Sequence, residues 1–204
     1  MVGRLLSGLG ILLVTAVASA DAPPIQVSRV RAALGRIPVS KHDKTPERAE
    51  QHAANLEAFA REIARVSERA PLPPHVWASL LITQGSIESN LDTAVVAGHC
   101  LPHQCDAHKV NGELLFKAVG AFQQQDVSYV HDLWPTAAGN IPAQVEMADR
   151  TLRRSLTRCK PFAPFPAHVF RAYGGARSCS WPAPRETERV ATFVRLMSVP
   201  AVKP

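Results

Sequence analysis

Between Val76 and Ile82 the chain reads Val-Trp-Ala-Ser-Leu-Leu-Ile, and Ser79 supplies the only hydroxyl in it. Pro71, Pro73 and Pro74 stand just ahead, where they stop one helix and start the next. A helix with so little polar surface has to be buried, so the remaining elements must wrap around it. The segment predicts a buried helix running to about Ser89, with Glu88 carried at its end in Ser86-Ile87-Glu88-Ser89-Asn90. Burial disfavours the charged form of a carboxyl and raises its pKa. An acid kept protonated near neutral pH is what a general acid needs to protonate a leaving oxygen.

The flanking sequence is mostly helical in pattern. Thr45-Pro46-Glu47 is a helix start, with an N-cap hydroxyl, Pro at the first position and acid in the first turn. Ala49, Ala53, Leu56, Ala60, Ile63 and Val66 then recur at threes and fours over about six turns. Residues 90–115 lack that period and contain Asn111-Gly112, a hairpin signal, which predicts a small irregular or β lobe. Helical patterning returns over Phe116–Gln125 and from Pro142 to about Arg158, where Val145, Ala148, Leu152 and Leu156 share a face. Shorter helices are expected near Ala167–Tyr173 and Pro184–Met197. Residues 21–44, with Pro23-Pro24, Gly35 and Pro38, read as a loosely ordered lead-in to a single mainly α domain over residues 45–204.

Residues 1–20 read as a secretory signal peptide. Arg4 precedes an apolar core from Leu5 to Val17, and Ala18-Ser19-Ala20 gives a small-residue cleavage site before Asp21. Periplasmic or secreted localisation follows, with no stable membrane insertion after cleavage. Export gives meaning to four cysteines: two disulfides, of which the local pairing Cys100–Cys105 and Cys159–Cys179 closes two surface loops. His99, Cys100, His103, Cys105 and His108 also offer soft metal ligands within ten positions. Zinc ligand pairs usually flank a longer segment and export favours oxidised sulfur, so this reads as a bridged loop, and no metal or cofactor is expected. The formal net charge of +6 suits an anionic partner. Nothing matches a nucleic-acid motif, and no Gly-rich phosphate loop is present.

Three short segments follow one another in order: Glu88-Ser89, then Gly120-Ala121-Phe122-Gln123 on an expected third helix, then Ala172-Tyr173-Gly174-Gly175. Together they resemble the lysozyme-like superfamily, in its soluble lytic transglycosylase and goose-type lysozyme branch. Arg185-Glu186-Thr187 ahead of Val190 and Val194 is similar to that family's last helix. The resemblance spans roughly residues 72–198 and implies a lysozyme-like helical domain. It also implies cleavage of the β-1,4 bond between N-acetylmuramic acid and N-acetylglucosamine in peptidoglycan glycan strands. Glu88 then maps onto the general acid, with Ser89, Gln123 and Tyr173 lining the cleft. Inverting hydrolases need a second carboxylate, for which Asp92, Asp106, Asp126 and Asp132 are the candidates. Lytic transglycosylases need none, because the muramic 6-hydroxyl attacks intramolecularly. Gly174 stands where the family has Asn, which leaves open an inactive wall-binding protein on the same fold.

Overall fold

The computed structural model describes residues 25–99, 107–110, 113–116, 118–125, 137–171 and 179–198. The expected signal peptide, Cys100, Cys105, the third motif with Tyr173 and Gly174, and Asp106, Asp126 and Asp132 lie outside these residues. The helices are α1 (Val27–Leu34), α2 (Pro46–Ser67), α3 (Pro74–Ser89), α4 (Thr93–Ala97), α5 (Ile141–Arg158), α6 (Ala167–Arg171) and α7 (Glu186–Met197), with a 3-10 turn at Lys160–Phe162. The protein is mainly helical. Between α4 and α5 lie two antiparallel ribbons, β1 (Ala107–Val110) with β2 (Glu113–Phe116) and β3 (Ala118–Val119) with β4 (Gln124–Gln125). In the first ribbon Val110 pairs with Glu113.

Helix α2 begins as its sequence predicts: the Thr45 hydroxyl accepts from the Arg48 N–H and Pro46 takes the first position. The apolar α3 lies at the centre. Trp77, Leu80, Leu81 and Ile82 are all buried, and α1, α2, α5 and α7 pack around it. Burying each such side chain contributes about 1.5–3 kcal/mol. The Trp77 indole N–H donates to Asp149 at 2.7 Å, and Arg153, paired with Asp149 at 2.7 Å, lies over the ring. One polar handle thus joins α3 to α5 without an unsatisfied donor. Phe59 of α2 meets Phe122 edge to face, with ring centres 5.9 Å apart.

Three segments differ from the sequence expectation. The lead-in 21–44 contains α1, and Val30, Leu34 and Ile37 are buried in the common core. Gly35 caps one short amphipathic helix, whose apolar side chains are spaced to pack on α2. Within 90–115 a single turn of helix, α4, is capped by Asp92, whose Oδ1 accepts from Ala94 and Val95 N–H. The expected helix over Phe116–Gln125 is the β3–β4 ribbon, and Gly120–Gln123 form its turn rather than lying on a helix. Gly120 has φ +68° and Gln123 φ +47°. Left-handed backbone at both ends of four residues is incompatible with an α-helix.

Candidate functional site

Helix α3 stops abruptly after Ser89. Asn90 and Leu91 both take left-handed φ, and the Asn90 N–H closes the last turn on the Ser86 carbonyl. Glu88 therefore sits in the last turn, at the end whose carbonyls and dipole disfavour negative charge. Its side chain keeps 21 % of its surface exposed. Oε1 accepts from Gln84 Nε2 at 2.7 Å and from Arg189 Nη2 of α7. Gln84 lies one turn back on the same face of α3, and its own Oε1 accepts from Arg189 Nε at 3.2 Å. Glu88, Gln84 and Arg189 thus form a closed triangle, completed by an Arg189 hydrogen bond to the Pro184 carbonyl. Beside it, Arg185 Nη1 donates to the Ile87 carbonyl at 2.6 Å.

Burial pushes the Glu88 carboxyl above the ordinary glutamate range. Arg189 opposes this by its charge and hydrogen bond, and Gln84 and Arg185 add smaller opposing effects. Desolvation outweighs the opposing cation, so the net shift is upward. A partly exposed carboxyl with a raised pKa can hand a proton to a bound oxygen.

Ser89 faces the other way. Its hydroxyl donates to the Ala121 carbonyl at 2.7 Å and accepts from the Leu91 N–H. The first two motifs are thereby fastened together across 32 positions of sequence. Gly85 makes that approach possible, because a Cβ there would meet Leu91 at 2.8 Å and Phe122 at 3.2 Å. Gln123 folds its amide back on its own turn, donating to the Gly120 carbonyl at 3.0 Å. Ser89 and Gln123 therefore hold the turn that flanks Glu88. Tyr173, outside the described residues, is not placed against them.

Gln144 of α5 holds the turn from behind. Its Oε1 accepts from the Ala121 N–H at 2.8 Å, and its Nε2 donates to the Val96 and Ala137 carbonyls at 2.9 and 2.7 Å. A Cβ on Gly120 would lie 2.5 Å from Gln144 Cδ, so glycine is required both by φ and by space. Asp92, a candidate second acid, is withdrawn from that role. It is buried, and both its oxygens are used, one capping α4 and the other accepting from Ser40. His99 is the only member of the His/Cys cluster whose whole side chain lies among the described residues, and no metal-holding group of His, Cys, Asp and Glu occurs among these.

Arg189, Gln84 and Gln144 were not anticipated from sequence, although each left a trace. Gln84 is an amide inside an apolar helix, one turn from Glu88. Gln144 lies on the stripe formed by Ile141, Val145 and Ala148. Arg189 follows directly on Glu186-Thr187-Glu188.

No family model matches this chain, and no curated protein or solved structure matches it.

Proposed function

We propose that this protein is an exported enzyme that cleaves the β-1,4 bond between N-acetylmuramic acid and N-acetylglucosamine in peptidoglycan, with Glu88 as general acid. The observation that carries the reading is the Glu88 carboxyl itself: partly exposed at the end of a buried helix, its pKa raised by burial, and held by Gln84 and Arg189. The resemblance of three ordered motifs to the lysozyme-like branch supplies the substrate class, and Ser89 bonded to Ala121 joins the first two motifs at Glu88. In this mechanism Glu88 protonates the glycosidic oxygen as oxocarbenium character develops at the muramic carbon. Gln84 and Arg189 fix the rotamer of the acid and stabilise the carboxylate left behind. Asp92, committed to its cap, does not supply a second carboxylate. In the transglycosylase route none is needed, because the muramic 6-hydroxyl attacks the anomeric carbon, gives its proton to the Glu88 carboxylate and leaves a 1,6-anhydro end. No cofactor takes part.

The test is incubation of the exported protein with purified peptidoglycan, followed by mass spectrometry of the soluble products. Glu88→Gln keeps an oxygen for Arg189 and Gln84 but has no proton to give. Activity in the wild type and its loss by about 10²-fold or more in this variant is expected. Activity equal in both rules out Glu88 as the acid. A second reading, an inactive wall-binding protein, is favoured by the contact with Arg189, which stabilises the ionised state of Glu88. Its signature is both forms pelleting with the wall while neither releases muropeptides.

A further inference from the structure

The charge of this chain is unevenly placed. From Arg150 to Arg185 there are eight Lys and Arg, and no Asp, Glu, Asn or Gln. The whole chain carries a formal +6, so the remainder is slightly acidic.

Structure gathers part of this stretch at one end of the molecule. The Cys159–Cys179 disulfide ties the end of α5 to the segment leading into α7. Arg171 Nη1 donates to the Phe162 and Cys179 carbonyls, each at 2.9 Å, and the Arg171 charge is matched by Glu186 at 3.0 Å. Around this tie the large side chains that reach solvent are aromatic and cationic, set among exposed prolines, Thr157 and Ser180. Trp181 is 71 % exposed and Phe162 51 %. Phe165, also exposed, leans edge to face on Phe193 at 5.6 Å. Arg158 and Lys160 are exposed and have no acidic partner among the described residues. His168, buried beneath them, is held below the ordinary imidazole range, first by burial and with Lys160 and Arg171 adding to it. Clustered exposed apolar side chains of this size mark an interaction surface.

We propose that this end of the protein docks on the surface of an anionic phospholipid bilayer. Trp181 and Phe162 enter the interfacial layer, and Arg158 and Lys160 meet the headgroup phosphates. Aromatic rings partition to the headgroup level, and each cation near an anionic leaflet adds to the attraction. A glycan strand is a poorer occupant. Recognition of sugar hydroxyls uses carboxylate and amide side chains beside the aromatic platform; residues 150–185 have none, and Glu186 at this tie is taken by Arg171 and the Ala183 N–H. Docking here is peripheral, since no helix among the described residues is long and apolar enough to cross a membrane. It is also independent of the glycan-cleaving reading.

The test is co-sedimentation of the exported protein with vesicles of phosphatidylcholine alone and of phosphatidylcholine with phosphatidylglycerol, at low and high salt. Two variants accompany it, Trp181→Ala/Phe162→Ala and Arg158→Glu/Lys160→Glu. All alter exposed positions, and circular dichroism checks that the fold survives. All forms share one N-terminus, so any contribution from residues 1–20 is common to them. The expected result is binding to the anionic vesicles only, weakened by salt, and lowered roughly tenfold or more in each variant. Absence of binding, equal binding to neutral vesicles, or binding unchanged in both variants overturns the proposal. So does loss of peptidoglycan pelleting in these variants without any vesicle binding, which would make the surface a wall-polymer site.

Discussion

A single carboxyl carries the chemistry proposed for this protein, and its ionisation can be followed in two ways. Because burial raises the Glu88 pKa in the folded state, the native protein holds more protons than the unfolded chain between the ordinary glutamate range and that raised value. Stability contributed by protonated Glu88 is therefore complete at low pH and declines as pH rises through the raised value. Glu88→Gln is expected to flatten that part of the stability–pH curve, as read by denaturant titration at several pH values. Activity falls on the same limb, since only the protonated acid can donate. Arg189 opposes the upward shift, so Arg189→Met should move the alkaline limb of kcat/KM to higher pH while lowering stability by about 3 kcal/mol through loss of a buried partner. An unmoved limb with the same stability loss would restrict Arg189 to holding α3 and α7 together.

At the scale of elements, the β3–β4 turn depends on one amide. Gln144→Ala would leave the Ala121 N–H and the Val96 carbonyl without that partner. A loss of about 2–4 kcal/mol is expected, measured as the shift in urea midpoint. Gly120→Ala should cost at least about 1 kcal/mol, because its positive φ disfavours a side chain and its Cβ would overlap Gln144. The pair Gly120→Ala with Gln144→Ala should cost less than the sum, as the overlap disappears with the longer side chain. The helical stretches of α2 and α5 were legible because each buries a stripe spaced along one axis, and α3 because an apolar run opened by prolines has to be buried on all sides. The 116–125 stretch was not. Its apolar spacing fits a helix equally well, and what decides against one is a partner on α5, some twenty residues away in sequence.

For the molecule as a whole, the Cys159–Cys179 bridge spans 20 positions and joins the end of α5 to the approach of α7, the helix that brings Arg189 to Glu88. Replacing both cysteines by serine is expected to lower stability by about 3 kcal/mol, seen as a fall in Tm that dithiothreitol reproduces in the wild type. Activity should fall along with Tm, since the bridge steadies the approach to α7, which the Arg171–Glu186 pair and the Phe165–Phe193 contact also hold. The N-terminal segment also belongs to the folded body. Leu34→Ala in α1 should cost about 2–5 kcal/mol by leaving a cavity against the core. A loosely attached lead-in would show no such cost.

Sequence by itself determined that α3 would be buried, that Pro71–Pro74 would separate it from α2, and that a carboxyl would emerge at its end. These follow from hydropathy, proline geometry and side-chain period, which act within a few turns of the chain. Four cysteines allowed three pairings, and it is the structure that joins Cys159 to Cys179. Tertiary structure alone decided what stands around Glu88. Gln84 becomes its neighbour through the helix, but Arg189 reaches it from 101 positions away and Ser89 reaches Ala121 from 32. Contacts at such separations depend on how α5 and α7 close on α3, and no local pattern encodes that closure. Asp92 shows the same limit from the other side. In sequence it was one carboxylate among four, and only its burial against Ser40 and the start of α4 made it a cap instead of a catalyst.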